Sequence, residues 1–189
     1  MKDKKIAVSG GLRTDSEAKE GGLNKSWFDR NPGSWESKME NFPKYVRRQN
    51  LTRFLVLYEI FKKIVNVKGS IIECGVNHGY GVMSWAKFSS IIEPANLTRR
   101  IYGFDSFEGF PELSNKDKSI SSNHLKTGDL AADSYEELKG LAEIYDSTRF
   151  LGHVSKVNLI KGDAVKTIPK FIDDNPHLMV SLLYLDFDL

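Results

Sequence analysis

Cysteine is almost missing from this sequence: Cys74 is the one example in 189 residues, which excludes a disulfide framework within the chain. Long apolar runs are missing too. No stretch approaches the roughly 18 consecutive apolar residues of a membrane span. The charged opening MKDKK is followed by only Ile6, Ala7 and Val8 before Ser9, Gly10 and Gly11, well short of the about 7 to 15 apolar residues of a secretory signal. A charge excess is lacking as well: 27 Lys and Arg against 25 Asp and Glu give +2. That is too little to argue for nucleic acid or an anionic membrane on charge alone. The excess is also uneven, since residues 1 to 50 carry 11 basic against 7 acidic residues and the remainder 16 against 18. A cytoplasmic protein with no nucleic-acid and no membrane partner is expected, in which the sequon at Asn96, Leu97 and Thr98 has no glycan to accept.

What is present describes one soluble globular domain. Hydrophobic residues make up 40% and aromatic residues 11% of the chain, enough to bury a single core. Residues 1–34 read as a mobile or loosely packed lead, with Gly10, Gly11, Gly21, Gly22, Pro32 and Gly33 interrupting any periodic run. The domain proper is expected over 35–189. KKIAVSGG mimics the first strand and glycine turn of a nucleotide fold, but TDSEAKE follows without a further glycine or an apolar helical stripe, which disfavours that reading.

From Asn50 a helical pattern begins: Leu51, Phe54, Leu55, Tyr58, Phe61 and Ile64 recur at spacings of three and four, with Asn50 as the expected cap. The next hundred residues alternate. Ile71 to Cys74 is a short apolar run leading into glycine, GVMSWAKFSSII is helical, and IYGFD is a second short run ending in an acid. Ser134 and Glu137 form a capping-box pattern ahead of YEELKGLAEIYD. VNLIKGD reads as a third strand, Thr167 before Pro169 as a helix start, and HLMVSLLYLDFD as a fourth strand buried on both faces. Strands separated by helices predict an α/β fold, a Rossmann-like parallel sheet with flanking helices. A sequence that stops one residue after Asp188 would leave Leu182 to Leu185 on an open edge. The expectation is therefore a C-terminally incomplete domain, lacking further strands, or an edge covered by a partner such as a second copy.

The chemistry concentrates where strands meet helices. Glu73, Cys74, Gly75, Val76, Asn77, His78, Gly79, Tyr80 and Gly81 follow the first strand, where glycines permit a ligand to approach the backbone. The spacing of Gly75, Gly79 and Gly81 differs from the dinucleotide fingerprint, which weakens a nicotinamide reading. An acid two residues before the first glycine suits a ligand carrying positive charge. The plain alternative is a tight turn. Asp105 ends the second strand 24 positions beyond Gly81, close to where an acid that accepts ribose hydroxyls is expected. Asp163 and Asp186 end the third and fourth strands, so four strand ends carry acids, a negative rim suited to a cationic cofactor or a metal ion. Against this stands the reading of each acid as a helix cap.

Together the segment Glu73 to Gly81, YGFDSFEGFP, GDAVKTIP and LDFDL resemble the class I S-adenosylmethionine-dependent methyltransferases, and in particular the macrocin O-methyltransferase family, whose members methylate sugar hydroxyls. The resemblance runs from about Phe42 to Leu189. It implies that Glu73, Gly75 and Gly79 line the methionine end of S-adenosylmethionine, that Asp105 holds the ribose with Ser106 beside the adenosine, and that Asp163 and Ala164 contact the adenine. It also implies Asp186 as a ligand of Mg²⁺ and Asp188 as the base. The partner implied is a sugar or glycosylated small molecule. The family supplies a further acidic pair after a fifth strand, which this sequence does not contain. A cofactor-binding protein without catalysis and a dinucleotide-binding oxidoreductase are the alternatives.

Residues 106–133 form a long polar connection, expected to act as an acceptor lid with Phe107, Phe110 and His124 as contacts, or else to be a surface insertion. His78 is weighed as a base and as a turn cap. Arg47 and Arg48 are weighed as contacts to an anionic acceptor and as solvated surface, and Cys74 reads as a small buried hydrophobe.

Overall fold

The computed structural model describes residues 15–109 and 134–187, with side chains from residue 19 onward. The described chain divides into two compact units, one comprising residues 15–53 and the other 54–109 with 134–187.

In the first unit α1 spans Asp15–Arg30, α2 spans Trp35–Glu40, and α3, Arg48–Ile64, begins. The helix α1 departs from the expectation that glycines break this region. Gly21 and Gly22 lie inside it with open space around them, because glycine lowers helix propensity by about 1 kcal/mol without forbidding a helix. Its C-terminal end is held locally, where the Phe28 and Tyr45 rings meet edge-on with centroids 4.9 Å apart. Ser34 caps α2 by accepting from the Ser37 amide.

The second unit is an α/β layer structure. Its parallel strands are β1 Ser70–Cys74, β2 Ile101–Asp105, β3 Val157–Lys161 and β4 Val180–Leu185, in the spatial order β3-β2-β1-β4. The helices between them are α4 Tyr80–Ile92, α5 Tyr135–Thr148 and α6 Ala164–Asp174. Each crossover therefore joins two parallel strands through a helix, as a parallel sheet requires. All five β1 residues are buried, since this strand has a neighbour on both sides and helices near both faces.

One face of the sheet packs Ile71, Val82, Trp85, Phe88 and Ile101 against Leu57, Phe61 and Ile64 of α3 and Leu138 of α5. On the other face Ile72, Cys74, Tyr102 and Phe104 meet Ile168 and Phe171 of α6. At about 1.5 to 3 kcal/mol for each fully buried large apolar side chain, these faces hold the strands in register. Within α3 the buried stripe runs through Phe54, Leu57, Tyr58, Phe61 and Ile64, while Leu55 is 61% exposed. Leu57 thus replaces Leu55 in the expected stripe, and Asn50 lies inside the helix rather than at its cap.

β4 differs from the fourth strand expected to be buried on both faces. Among the described residues it is an edge strand paired only with β1, and Leu183 and Leu185 are 57% and 61% exposed.

The end of the sheet where the strands begin is closed by one cation. Arg99 is 2% exposed; its Nε donates to Glu93 at 2.5 Å, and its two terminal nitrogens donate to the carbonyls of Ile64, Val67 and Gly69 and to the Ser181 hydroxyl. The planar guanidinium fork reaches the last carbonyls of α3, the start of β1 and the start of β4 together, which a lysine ammonium could not do. Beside it, the buried Lys156 Nζ donates to Ser89 Oγ and to the carbonyls of Asn96 and Arg99.

Candidate active site at the C-terminal edge of the sheet

The strand ends are stitched to one another by the backbone. Asp186 N donates to Cys74 O, Gly75 N to Phe104 O, and Gly162 N to Asp105 O, at 2.8 to 2.9 Å. Four turns therefore converge along the edge where open parallel sheets bind ligands.

The turn after β1 is shaped by close packing. Gly75 adopts φ +89, and an added Cβ would lie 2.1 Å from the Asp186 carbonyl oxygen. Gly79 adopts φ +80 as the N-cap of α4, and a Cβ there would meet Leu138 of α5 at 2.2 Å. Both glycines are demanded by neighbouring protein atoms and by a left-handed backbone. Between them Asn77 also has positive φ, at 50, and Asn77 and His78 are exposed.

Asp105 joins this turn to the next. Its Oδ2 accepts from Asn77 N at 2.8 Å and its Oδ1 from Phe107 N at 2.7 Å. Each oxygen keeps lone-pair capacity for a further donor, and the residue remains partly exposed. Ser106 closes the following turn, its hydroxyl donating to Gly109 O and accepting from Glu108 N.

Asp163 is the N-cap of α6 and accepts from Val165 N at 3.0 Å. The helix consequently starts at Ala164, ahead of the expected start at Thr167, and Pro169 lies within it. The capping reading of Asp163 therefore describes its protein contacts, and the residue stays exposed at the edge with Ala164 beside it.

Glu73 corrects the expected rim of four acids. It is 1% exposed, and its Oε2 accepts from the Trp85 indole Nε1 at 2.7 Å. The carboxylate lies beneath the first turn of α4, so Asp105, Asp163 and Asp186 form the exposed or half-exposed acids of the edge. Strand alternation sends residue 73 to the α4 face, and the missing side chain of Gly81 makes room for it there.

Ser134 is a second correction. Its hydroxyl makes no cap bond to α5 and donates instead to Asn77 O at 2.6 Å. Its backbone is helical, with φ −110 and ψ −2, whereas a capping hydroxyl is normally presented from extended backbone. Phe107, expected to meet an acceptor, is 5% exposed and packs against Tyr135 with ring centroids 5.1 Å apart. Phe110, His124 and Asp188 lie outside the described residues. Arg47 lies 3.8 Å from Glu20 within the first unit.

Cys74 is fully buried. Burial, aided by the neighbouring Glu73 charge, pushes its thiol above the usual range, which suits the expected inert hydrophobe. A cavity of 240 Å³ between α5 and β3, bordered by Tyr135, Lys139, Glu143 and Asn158, includes none of the expected site residues.

No protein-family model and no curated protein sequence matches the chain. Solved structures do. The crystal structure of CalS11, described as a calicheamicin methyltransferase, superposes with a TM-score of 0.87 at 28% identity, covering 94% of this chain and 69% of that one. The chain has a class I methyltransferase fold. The apo structure of CalS11, described as a TDP-rhamnose 3'-O-methyltransferase of calicheamicin biosynthesis, matches at a TM-score of 0.77 and 26% identity with the same coverage. The O-methyltransferase NovP matches at a TM-score of 0.53 and 21% identity over 72% of this chain and 54% of that one, which supports the fold alone. The two CalS11 likenesses support the expected enzyme class, an S-adenosylmethionine-dependent methyltransferase. In this fold β1 and β2 bring Gly75, Gly79, Asp105 and Ser106 to one edge, and β3 brings Asp163 and Ala164 to the same edge.

Proposed function

We propose that the chain is an O-methyltransferase that uses S-adenosylmethionine to methylate a hydroxyl of a sugar or glycosylated small molecule, as in the macrocin O-methyltransferase family. The observation that carries this reading is Asp105. Its two carboxylate oxygens are oriented by the amides of Asn77 and Phe107 and retain capacity to accept the paired hydroxyls of a ribose. The likeness to CalS11 over 94% of the chain favours a sugar acceptor over other hydroxyl compounds.

The described edge suits such a cofactor. Gly75 and Gly79 keep the turn after β1 free of side chains, Ser106 flanks Asp105, and Asp163 with Ala164 would border the adenine. The exposed acids suit a ligand with positive charge. Glu73 belongs to this set by resemblance; its carboxylate acts through Trp85 and the first turn of α4. When bound, the cofactor supplies a methyl group already activated by its sulfonium. The protein's tasks are to hold the acceptor oxygen in line and to take up its proton. We assign proton uptake to Asp188 by its match to the family's base. Asp186, at the end of β4, matches a magnesium ligand, but among the described residues no three His, Cys, Asp or Glu side chains converge to hold a metal.

Equilibrium dialysis against labelled S-adenosylmethionine and NAD tests the cofactor, and preference for NAD would reject the reading. Asp105→Ala is expected to weaken S-adenosylmethionine binding at least tenfold. Asp188→Asn is expected to abolish methyl transfer to a nucleotide-sugar acceptor and to leave cofactor affinity within about twofold, in line with loss of a proton acceptor alone.

A further inference from the structure

The expected capping serine of α5 does other work, and what it touches leads to the cofactor edge. Ser134 is 2% exposed and donates to Asn77 O at 2.6 Å. Asn77 N in turn donates to Asp105 Oδ2 at 2.8 Å. The neighbouring Tyr135 packs its ring on Phe107, whose amide donates to Asp105 Oδ1 at 2.7 Å. Two consecutive residues at the start of α5 thus brace the two residues whose amides hold the two oxygens of one carboxylate, Ser134 at the Asn77 carbonyl and Tyr135 at the Phe107 ring. A third contact fixes the helix against the same turn, since Leu138, one helical turn on, leaves no room for a Cβ at Gly79.

We propose that Ser134 and Tyr135 are positioning residues that set the orientation of the Asp105 carboxylate for the ribose of the cofactor. This rests on the reading of Asp105 given under Proposed function. Asn77 sits at φ 50, a conformation uncommon for non-glycine residues and adopted by asparagine more readily than by most. Ser134 supplies the restraint on the carbonyl side of that residue, and Asp105 supplies it on the amide side. Loss of the Ser134 hydroxyl frees the Asn77–His78 peptide, and with it ψ of Asn77, which loosens the residue whose N–H, in the preceding Val76–Asn77 peptide, fixes Oδ2. Both bonds use the Asn77 backbone, so the Asn77 side chain itself is dispensable.

The test uses the full chain with three variants and two readouts. Ser134→Ala should raise the Kd for S-adenosylhomocysteine, measured calorimetrically, by about five- to tenfold, while Ser134→Thr should restore it to within about twofold, in keeping with the loss and recovery of one hydrogen bond. Asn77→Gly, which tolerates positive φ and keeps both backbone bonds, should stay within about threefold of the parent. In the ligand-free protein, hydrogen exchange at the Asn77 amide should quicken in Ser134→Ala and not in Ser134→Thr, a readout that a uniform loss of stability would spread over the sheet. Unchanged affinity and unchanged Asn77 exchange in Ser134→Ala would overturn the proposal. So would loss of binding in Asn77→Gly as large as in Ser134→Ala, because the side chain would then be the ligand contact. If the parent binds no S-adenosylhomocysteine while Asn77 exchange still responds to Ser134→Ala, the methyl-transfer reading fails and the coupling of Ser134 to the Asp105 turn stands.

Discussion

Gly81 sits directly over Glu73: a Cβ built on Gly81 would lie 2.3 Å from each oxygen of the Glu73 carboxylate. The acid is buried at the end of β1 and fixed there by the Trp85 indole, so it cannot swing aside cheaply. The glycine is required by a carboxylate inside the protein and only indirectly by any ligand outside it.

Gly81→Ala is therefore expected to destabilise the fold by about 1 to 3 kcal/mol, the range for overpacking a tight site, despite alanine's better helix propensity. Gly140, in the middle of α5, has nothing within 4 Å of its hypothetical Cβ, and Gly140→Ala should stabilise by about 0.5 to 1 kcal/mol. Urea denaturation of the two variants checks both signs. Equal shifts in the same direction would show that helix propensity, and not the Glu73 contact, decides at Gly81.

Removing the buried guanidinium should be severe. Arg99→Ala would leave the Glu93 carboxylate with only its Ser89 and Asn96 hydrogen bonds and no cation, and would take a donor from several carbonyls, for an expected loss of about 3 to 5 kcal/mol. Arg99→Lys keeps the charge but not the fork and should recover only part of it. A thermal melt of Arg99→Lys equal to that of the parent would mean that charge alone suffices there.

Lys156 links stability to pH. Burial, reinforced by the nearby Arg149 charge, lowers its ammonium from 10.5 to about 8 in the folded chain. Between about 8 and 10.5 the unfolded chain therefore carries more protons than the folded one, so the Lys156 contribution to stability rises with pH across that window and is lost as pH falls through about 8. Lys156→Met removes the titrating group. The stability of the parent relative to Lys156→Met should thus increase from pH 7 to pH 10, with a slope no steeper than about 1.4 kcal/mol per pH unit. Paired denaturation curves at pH 7, 8.5 and 10 measure it; a falling difference contradicts the burial.

Cys74 should resist a thiol reagent in native buffer at pH 8 and react promptly in urea, since the thiol is fully buried and held in its neutral form. Equal labelling rates in the two conditions would remove β1 from the centre of the sheet.

Much of this architecture is legible before folding. The short apolar runs around Ile72, Phe104, Leu159 and Leu183 are too brief for helices, and the helical stretches between them call for parallel pairing. The glycine turn and Asp105 follow from position alone, because the end of a parallel strand is where the chain must turn toward its helix. Periodicity is less informative about which of two adjacent apolar residues faces inward, as Leu55 and Leu57 show, because a helix of 3.6 residues per turn leaves the edge of its stripe to the partner surface.

The amino-acid order by itself determined the alternation of strands and helices, the placing of acids at strand ends and the burial of the lone thiol, since each depends on local pattern and chain direction. Only the tertiary structure decided that Glu73 turns inward under Gly81, that Ser134 serves Asn77 in place of its own helix, and that Arg99 closes the far end of the sheet. The physical reason is common to all three. A polar side chain takes the partners that remain once neighbouring elements have packed, and those partners, 8 to 57 positions away for the first two and 30 or more for the carbonyls of α3 and β1, cannot be seen from the residues beside it.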